Sequence, residues 1–441
     1  MKKISIVAVF AAFLTVAAVM AASAYFNDVR KADAETEEGA GYKKTEEMQI
    51  IISMGESPGK VFISWKGTEE GPGFIRISRE RETLPAETAR KAVVKKVLNG
   101  RYCRYTARID GLDPGEIYYY EIGDGVLYGK TLSFTAPDGR KGRFLYLGDV
   151  QFNVPEEYEK WGDMTEAVYE RNPDLQFAII GGDMVNMPLE YDQWNGFLSN
   201  CGVFRTLPLM TVSGNHEGVR SNMTYKKMFA VPENGPEGNE LEGEFYYFDY
   251  GECRFIMTDS SFLTKKREEQ IGSSLWEVYE RKIEKWLRAT LASSPKAWNI
   301  VVTHHPPYGM HDNDEVSHRI RELWTPIMEE YGTDLVLCGH QHMYMRTRAI
   351  NGITYVMGNS GERKSEYFNG MNAPVYCAAF YSGASYQIIE ADKRKMRITS
   401  YDKNGDIIDD AVLRKGLWPH IFEFFGGYQV IIESAEMYKV V

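Results

Sequence analysis

Five short segments of the sequence bring carboxylate, amide and imidazole side chains together beside glycine or proline. They are GDVQ (Asp149, Gln151), GGDMVN (Asp183, Asn186), SGNHE (Asn215, His216), THHPP (His304, His305) and GHQH (His340, His342). Oxygen and nitrogen donors without cysteine suit Mn, Fe, Zn or Mg better than a soft metal. Two carboxylates and at least three imidazoles exceed the three protein ligands of a single catalytic zinc. The segments therefore predict two metal ions, and a pair of cations about 3.5–4 Å apart can clamp the oxygens of a phosphoryl centre.

Each of these segments follows an apolar run that has the length of a buried strand. The runs are RFLYL, LQFAII, LPLMTV, WNIVV and DLVLC, and they alternate with helical patterns such as SLWEVYERKIEKWLRATLASS. This rhythm predicts an α/β domain over residues 143–414, with its strands buried between helices. Ligands of α/β sheets bind outside the carboxyl ends of the strands, so we expect the segments to converge in one cleft.

Residues 46–137 show a different pattern, in which short strand-like runs are separated by turn residues. Examples are KVFISWK, GFIRISR and IYYYEIG, and Trp65 is the expected core aromatic of an early strand. The pattern predicts an antiparallel β-sandwich. The segment IDGLDPGEIYYYEIGDG resembles the corner of a fibronectin type III-like module, where a leucine, a Pro-Gly turn and a tyrosine tie two strands together. No histidine precedes His216, so we expect the chemistry in the α/β domain.

The N-terminus has the features of an export signal. Lys2 and Lys3 precede an apolar stretch, and the small residues before position 25 fit cleavage after Ala24. We predict a signal peptide over 1–24, a polar linker over 25–45, and a secreted or extracytoplasmic protein. The alternative is an uncleaved membrane anchor over residues 4–24, which is long enough to span a bilayer and would hold the protein at the cell surface.

The composition limits the partners and the covalent cross-links of the chain. It has 441 residues, 44% of them hydrophobic, and a formal charge of −11, which argues against a nucleic acid partner. Five scattered cysteines without a CxxC pair do not indicate a disulfide framework. The apolar extension 415–441 predicts either additional cover for the sheet or a surface for a partner.

The segments GDVQ, GGDMVN, GNHE, VVTHHP and GHQHMYMR, in this order, resemble the metal-binding blocks of calcineurin-like metallophosphoesterases. With the sandwich in front, the arrangement is similar to the purple acid phosphatases. The resemblance implies a four-layer α/β/β/α sandwich preceded by an all-β fibronectin- or Ig-like sandwich. It also implies an exported, acid phosphatase-like hydrolase in which a metal-activated hydroxide attacks a small-molecule phosphate ester. Its cofactors would be two divalent or mixed-valence metal ions, with Fe, Mn and Zn as candidates.

Position by position, the resemblance assigns roles to the polar residues. Asp183 would bridge the two metals. The first metal would also be held by Asp149 and His342, and the second by Asn215, His304 and His340. His216 would be the catalytic residue that faces the phosphate. The HxP spacing selects His304 as the ligand, and His305 becomes a supporting or packing residue. Glu217 would orient His216 or cap the segment that follows.

A loop after the fourth segment adds a further candidate. His311, in YGMHDNDE, is either a second catalytic residue on the substrate side or a solvated loop residue. The acidic stretch DNDE that follows it is interpreted as a solvated face.

The sequence departs from the family at the first metal. Purple acid phosphatases have a tyrosine at the position of Asn186, and many other metallophosphoesterases have a histidine at the position of Gln151. An amide oxygen of Gln151 or Asn186, or a water, must then complete this metal site, which predicts a colourless and mostly divalent centre. Met345 replaces the glutamate that usually precedes Arg346, so we expect the loss of a local ion pair.

Three functions stay open at this point. The first is a phosphatase of the kind that the resemblance implies. The second is a phosphodiesterase or nucleotidase with the same site, because the loops that select the substrate have no recognisable pattern. The third is a surface binding protein with a degenerate metal site, since the first metal lacks both the tyrosine and the histidine. The presence of Asp183, of every ligand for the second metal and of His216 favours an enzyme.

Overall fold

The computed structural model describes residues 48–67, 71–82, 84–100, 102–140, 142–238, 240–363 and 373–415. The predictions for the signal segment, the linker and residues 416–441 lie outside these ranges. Within the ranges, no helix combines the length and the apolar character that crossing a bilayer requires.

The first part of the described chain consists of short strands. Their bounds are β1 Ile51–Met54, β2 Val61–Gly67, β3 Phe74–Ser78, β4 Arg90–Lys91, β5 Val93–Val97, β6 Tyr102–Ile109, β7 Ile117–Gly123 and β8 Leu132–Thr135. Over the described residues they form two four-stranded antiparallel sheets, in the orders β1-β2-β6-β5 and β4-β3-β7-β8. Alternate side chains of β7 are buried, and both sheets contribute to a core around Trp65, Tyr105 and Tyr120. The predicted antiparallel sandwich is confirmed.

The second part of the chain alternates strands and helices. Its strands are β9 Gly142–Leu147, β10 Phe177–Ile180, β11 Leu209–Thr211, β12 Tyr246–Tyr250, β13 Cys253–Met257, β14 Trp298–Val302, β15 Leu335–Cys338, β16 Tyr344–Thr347, β17 Thr354–Met357, β18 Cys377–Tyr381, β19 Ser385–Ala391, β20 Lys395–Asp402 and β21 Ile407–Arg414. Its helices are α1 Pro155–Arg171, α2 Tyr191–Ser199, α3 Asn215–Met228, α4 Lys265–Ile271, α5 Ser273–Ala292, α6 Glu315–Leu323 and α7 Thr325–Glu330.

These strands form two mixed sheets. Counted over the described residues, a six-stranded sheet has the order β11-β10-β9-β19-β20-β21 and a seven-stranded sheet has the order β12-β13-β14-β15-β17-β16-β18. Strands β9, β10 and β11 are parallel to one another, as are β13, β14, β15 and β17. The carboxyl ends of a parallel set lie at one edge of its sheet, and the predicted site segments follow β9, β10, β11, β14 and β15.

The two sheets pack face to face and are covered by helices on their outer faces. Phe144 and Phe177 of the first sheet stack at 5.1 Å between ring centroids, and Phe144 meets Phe255 of the second sheet at 5.0 Å. The next side chain of β9, Leu145, points the other way, into a core shared with α1 and α2. Helices α5, α6 and α7 cover the other sheet through a separate core. The predicted four-layer α/β/β/α sandwich is confirmed.

The N-terminal sandwich packs against the helix that follows β11. Arg104 of β6 is 1% exposed, and its guanidinium donates to the backbone oxygen of Met228 at 3.1 Å. Met228 is the last residue of α3, where the helix dipole favours a cation. Because α3 begins at Asn215, the sandwich supports one end of a helix whose other end carries predicted site residues.

Candidate metal centre

Four predicted residues meet at the ends of β10, β11, β14 and β15, and they are termed the second donor group: Asp183, Asn215, His304 and His340. Asn215 Oδ1 lies 3.0 Å from His304 Nε2 and 2.9 Å from His340 Nδ1. His304 Nε2 also lies 3.1 Å from Asp183 Oδ2. His304 Nδ1 is 2.9 Å from the Gly181 carbonyl, to which it donates, so Nε2 is the ring nitrogen that faces the group. One ligand atom each from Asp183, His304 and His340 lie within 4.8 Å of one another, which is close enough to hold a cation.

The first donor group consists of Asp149, Gln151, Asp183 and His342. Ligand atoms of its two aspartates and of His342 lie within 4.8 Å of one another. The Gln151 amide lies against the His342 ring, with 2.6 Å between the two Nε2 atoms, and Gln151 Oε1 is buried without a hydrogen-bond partner among the described residues. Rotating the amide by 180° would place Oε1, instead of Nε2, beside His342 Nε2. A buried polar atom without a partner costs roughly 1–3 kcal/mol, so a cation beside His342 would fit this group.

The backbone under these donors is strained. The φ angle is 50° at Asp183, 77° at His340 and 51° at His342, a left-handed conformation that side chains other than glycine rarely adopt. Such residues cost of order 1–3 kcal/mol each and cluster at functional sites. Close packing constrains the same loops, because a Cβ at Gly214 would lie 2.1 Å from Asp183 Oδ1. The fold therefore holds these donors in place at the expense of stability.

Glu217 ties the loop of Asp183 to the start of α3. Its Oε2 accepts from the backbone N–H groups of Asp183 and Gly214, each at 3.0 Å, and its Oε1 accepts from Val185 at 3.0 Å. The side chain is fully buried, and burial followed by the charge of Asp183 raises the pKa of Glu217 to about 7. Of the two roles predicted for Glu217, capping is the one that these hydrogen bonds show.

His216 lies at the first turn of α3, beside both donor groups. Its backbone N–H donates to Asp183 Oδ1 at 3.0 Å, and its ring Nδ1 donates to the Asn186 carbonyl at 2.7 Å. The other ring nitrogen, Nε2, lies 3.9 Å from Asp183 Oδ2, and the side chain is 28% exposed. The Asn186 side chain instead donates to Asn153 at 2.9 Å. The structure thus brings Gln151, and not the Asn186 side chain, to the first donor group.

The charges of the buried donors stabilise one another. Burial lowers the pKa of His304, but the charge and hydrogen bond of Asp183, together with the charge of Asp149, outweigh it and raise that pKa to about 10. Burial raises the pKa of Asp183, and the interactions with His304 and His216 more than reverse this, so that it falls well below its usual range. A cation bound here would replace the proton on His304, since metal ligands must be deprotonated.

A cavity of about 340 Å³ opens beside both donor groups. Its lining among the described residues is Asp183, Asn215, His216, His311, Asn313, Asp314, His340, Gln341, His342 and Arg363. Arg363 is the one arginine or lysine in that lining. The volume lies at the lower end of the range for small-molecule sites, about 300–1,000 Å³.

The two remaining predicted histidines both belong to the loop that follows β14. His311 lines the cavity, and its backbone N–H donates to Gln341 Oε1 at 3.2 Å. Burial lowers the pKa of His311. His305 is buried behind His340, with 4.3 Å between the ring centroids, and its Nδ1 lies 2.8 Å from Ser260 Oγ.

Sequence reasoning missed four residues that line this cavity, namely Asn313, Asp314, Gln341 and Arg363. Asp314 lies 2.8 Å from His340 Nε2 and its side chain is 17% exposed, so the interpretation of DNDE as a solvated face is wrong for this residue. Gln341 joins the GHQH loop to the loop of His311, and Arg363 reaches the cavity from the segment after β17. The Asp-Glu-Val pattern could have identified Asp314 as a helix cap, but nothing in the sequence pairs it with His340.

The local ion pair that Met345 cannot make is replaced at Arg346 by an ion pair with a residue distant in sequence. The guanidinium of Arg346 makes two hydrogen bonds to Asp409 of β21, at 2.6 and 3.1 Å. Tyr344 donates to the same carboxylate at 2.6 Å, while Met345 is buried. The hairpin of β20 and β21 brings in a carboxylate that is distant in sequence.

Comparisons with known proteins agree with this fold. Residues 142–344 match the calcineurin-like phosphoesterase domain, and residues 48–136 match the purple acid phosphatase N-terminal domain. An uncharacterized protein of Mycobacterium tuberculosis is 30% identical over 277 residues, which are 56% of this chain and 51% of the relative. The Fe(3+)-Zn(2+) purple acid phosphatase 12 of Arabidopsis thaliana is 23% identical over 350 residues, 74% of this chain and 70% of that protein.

Among solved structures, purple acid phosphatase PPD1 from yellow lupin has a TM-score of 0.65 at 18% identity, over 83% of this chain and 74% of that one. At this identity the likeness is one of fold. The chain spans about half the length of the mycobacterial relative. Both matched domains agree with the resemblance found in the sequence: the chain carries a calcineurin-like phosphoesterase domain over residues 142–344 and a purple acid phosphatase N-terminal domain over residues 48–136.

Proposed function

We propose that this protein hydrolyses small phosphate esters with two divalent cations, outside the cytoplasm. The observation that carries the proposal is the position of Asp183. It belongs to both donor groups, and each group brings ligand atoms of three side chains within 4.8 Å of one another. A carboxylate shared by two sets of ligands is what a pair of neighbouring cations needs.

The donor chemistry supports a pair of ions from among Fe, Mn and Zn. One ion would be held by Asp149, Gln151, Asp183 and His342. The other ion would be held by Asp183, Asn215, His304 and His340. All these donors are oxygen or nitrogen atoms, which suit such ions. Bound there, the two cations would offset the charge of the phosphate and supply a nucleophile at neutral pH.

His216 is the residue that we assign to proton transfer. Its Nδ1–H is held by the Asn186 carbonyl, so Nε2 is the ring nitrogen that is left for the substrate. The attacking water gives one proton to the solvent and its oxygen forms the new bond to phosphorus. As the bond from phosphorus to the alcohol oxygen breaks, His216 gives that oxygen a proton from Nε2. His311 and Arg363 line the same cavity, and Arg363 attracts the phosphate through charge-assisted hydrogen bonding.

The export of the protein is supported by the sequence of residues 1–24. The mass of the protein isolated from its native host tests this part of the proposal. A chain that begins at residue 25 supports a cleaved signal. A full-length chain in the membrane fraction supports the anchor, and a full-length chain in the cytosol contradicts export.

The function itself is tested by elemental analysis followed by two assays. After loading with Mn, Fe or Zn and removal of the excess, we expect close to two ions per chain. The loaded protein should hydrolyse p-nitrophenyl phosphate faster than bis(p-nitrophenyl) phosphate. The opposite preference would identify a phosphodiesterase or nucleotidase. One ion or none, with no hydrolysis, would identify a binding protein with a degenerate site.

A spectrum of the iron-loaded protein tests the nature of the first site. No tyrosine lines the cavity in the part of the chain that the structure describes. Without a phenolate ligand, ferric iron lacks the donor that gives a visible charge-transfer band. We therefore expect a colourless protein, and a visible band from the iron-loaded form would contradict this assignment.

A further inference from the structure

Asp314 lies between a helix and the second donor group. It is the N-cap of α6, where its side chain accepts from the backbone N–H of Val316 at 2.8 Å. Its other contact is with the metal centre, because Oδ2 lies 2.8 Å from His340 Nε2. Asp312, two residues earlier in the same loop, is 66% exposed and pairs with Arg321 instead. Of these two neighbouring aspartates, Asp314 is the one that reaches the donors.

The two nitrogens of the His340 ring face different partners. Nδ1 lies 2.9 Å from Asn215 Oδ1, inside the second donor group, while Nε2 faces Asp314. A neutral imidazole carries one N–H and one lone pair. With the N–H on Nε2 and donated to Asp314, the lone pair is on Nδ1 and points at the place where a cation would sit. A carboxylate that accepts from a ligand histidine in this way fixes its ring and raises its basicity.

We propose that Asp314 is a positioning residue for His340 and thereby sets the affinity of the second donor group for its cation. This inference rests on the proposed function, since it assigns a cation to that group. It concerns one group only, because Asp314 has no contact of this kind with Asp149, Gln151 or His342 among the described hydrogen bonds and ion pairs.

The same neighbourhood offers a rival interpretation. Ligand atoms of His305, Asp314 and His340 also lie within 4.8 Å of one another, so this cluster could hold a third cation. His340 would then have to bind metal through both ring nitrogens and give up its only N–H. The contact of 2.8 Å between Asp314 Oδ2 and His340 Nε2 needs no such deprotonation, so the geometry favours the positioning role.

The loop that carries Asp314 has anchors of its own. Gln341 Oε1 accepts from the backbone N–H groups of Met310 and His311, at 2.8 and 3.2 Å. The Tyr376 hydroxyl donates to the Gly309 carbonyl at 2.8 Å. A substitution of Asp314 should therefore leave the loop in place, which makes the effect on the cation measurable.

The experiment compares three variants of the full chain with the wild type. Asp314→Ser keeps a good N-cap for α6 but removes the carboxylate that faces His340. Asp314→Asn keeps the size and an acceptor but loses the charge, and Asp312→Asn is the matched control in the same loop. Each protein, loaded with Zn²⁺ alone, is titrated with a chelator while bound metal is measured by elemental analysis. His304→Ala identifies which of the two dissociation steps belongs to the second donor group.

In the wild type we expect two steps. In D314S the second donor group should bind its Zn²⁺ about 10–100-fold more weakly, while the dissociation step of the first donor group stays unchanged. D314N should fall between D314S and the wild type, and D312N should match the wild type. Circular dichroism and the melting temperature of the metal-free proteins check that the fold is kept.

The contrary results are distinct from one another. If the wild type holds two ions and D314S holds both with unchanged affinity, the positioning role is wrong and the proposed function stands. If the wild type holds three ions and D314S two, Asp314 is a ligand and the inference is overturned. If the wild type holds fewer than two, the proposed function fails, and this inference fails with it.

Discussion

The two donor groups of the candidate metal centre share Asp183 but differ in how firmly the rest of each group is held. In the second group, Asn215 Oδ1 lies 3.0 and 2.9 Å from two imidazoles, and each imidazole has a further partner on the protein. In the first group, His342 Nε2 lies 3.9 Å from Asp149 Oδ1. The Gln151 amide of the first group has a buried oxygen without a partner among the described residues. The histidines of the second group each contact another part of the protein, while the first group leaves the Gln151 oxygen without a partner among the described residues.

This difference predicts that the two donor groups bind their cations with unequal affinities. Preorganised ligands lose less freedom on binding, so the second group should bind its ion more tightly than the first. The neutral amide of Gln151 also contributes less charge than the tyrosinate found in purple acid phosphatases. The following substitutions test the comparison, from the largest expected effect to the smallest.

Asp183→Asn should have the largest effect, because it removes the charge that both groups share. We expect both ions to bind more than about 100-fold more weakly, since losing a ligand outweighs losing its supporting partner. Hydrolysis should fall to the background rate. Elemental analysis after dialysis checks this, with Asp174→Asn on the surface as the control. Full retention of one ion would show that Asp183 serves a single group.

His216→Ala should separate chemistry from metal binding, since His216 belongs to neither group. Loss of a general acid should lower kcat by about 10²–10⁴-fold. Metal content should stay close to that of the wild type. His318→Ala, which removes a half-exposed histidine outside the cavity lining, is the control. An equal loss of metal and turnover would overturn the role assigned to His216.

Gln151→Ala should weaken the first group alone. We expect about 10-fold lower affinity for one ion and no change for the other, because Gln151 touches His342 and not the second group. Asn186→Ala should leave both affinities unchanged, since its side chain donates to Asn153 and its backbone carbonyl remains available to His216. Chelator titration distinguishes the two variants, and a loss confined to Asn186→Ala would reverse the assignment.

Arg363→Met should have the smallest effect, because Arg363 is exposed at the rim of the cavity. An exposed charge is worth about 0.2–1 kcal/mol, so KM should rise by less than about fivefold with kcat unchanged. The difference from the wild type should shrink as salt is added. Arg397→Met, on the hairpin of β20 and β21, is the matched control. A drop in kcat without a change in KM would exclude a role in attracting the substrate.

The sequence predicted the element types of both domains because each depends on a local pattern, while the four-layer arrangement was implied by the resemblance to the family. Alternation of apolar residues predicted the sandwich strands, and continuous apolar runs predicted the buried parallel strands. The donors themselves follow those runs directly, as Asp149 follows β9 and His340 follows β15. A position one or two residues beyond a strand is fixed by that strand, so the donors could be identified before their geometry was known.

The supporting contacts could not be predicted in this way, because they join segments that are far apart in the chain. Asp314 follows β14 and meets His340 after β15, and the carboxylate of Asp409 meets Arg346 from a hairpin near the end of the described chain. From the sequence, Gln151, Asn186 or a water could each complete the first metal site. The structure distinguishes the two amides by the direction of their side chains: Gln151 faces His342, and Asn186 faces Asn153.

The sequence by itself determined which chemical groups this protein can offer to a metal and which strand ends carry them. The tertiary structure decided which donors lie close together, which amide lies beside His342, and which carboxylate lies beside His340. The physical reason is that a pattern along the chain fixes the type of an element and the order of its residues. The distance between side chains, on which coordination and hydrogen bonding depend, is set only when the two sheets pack together.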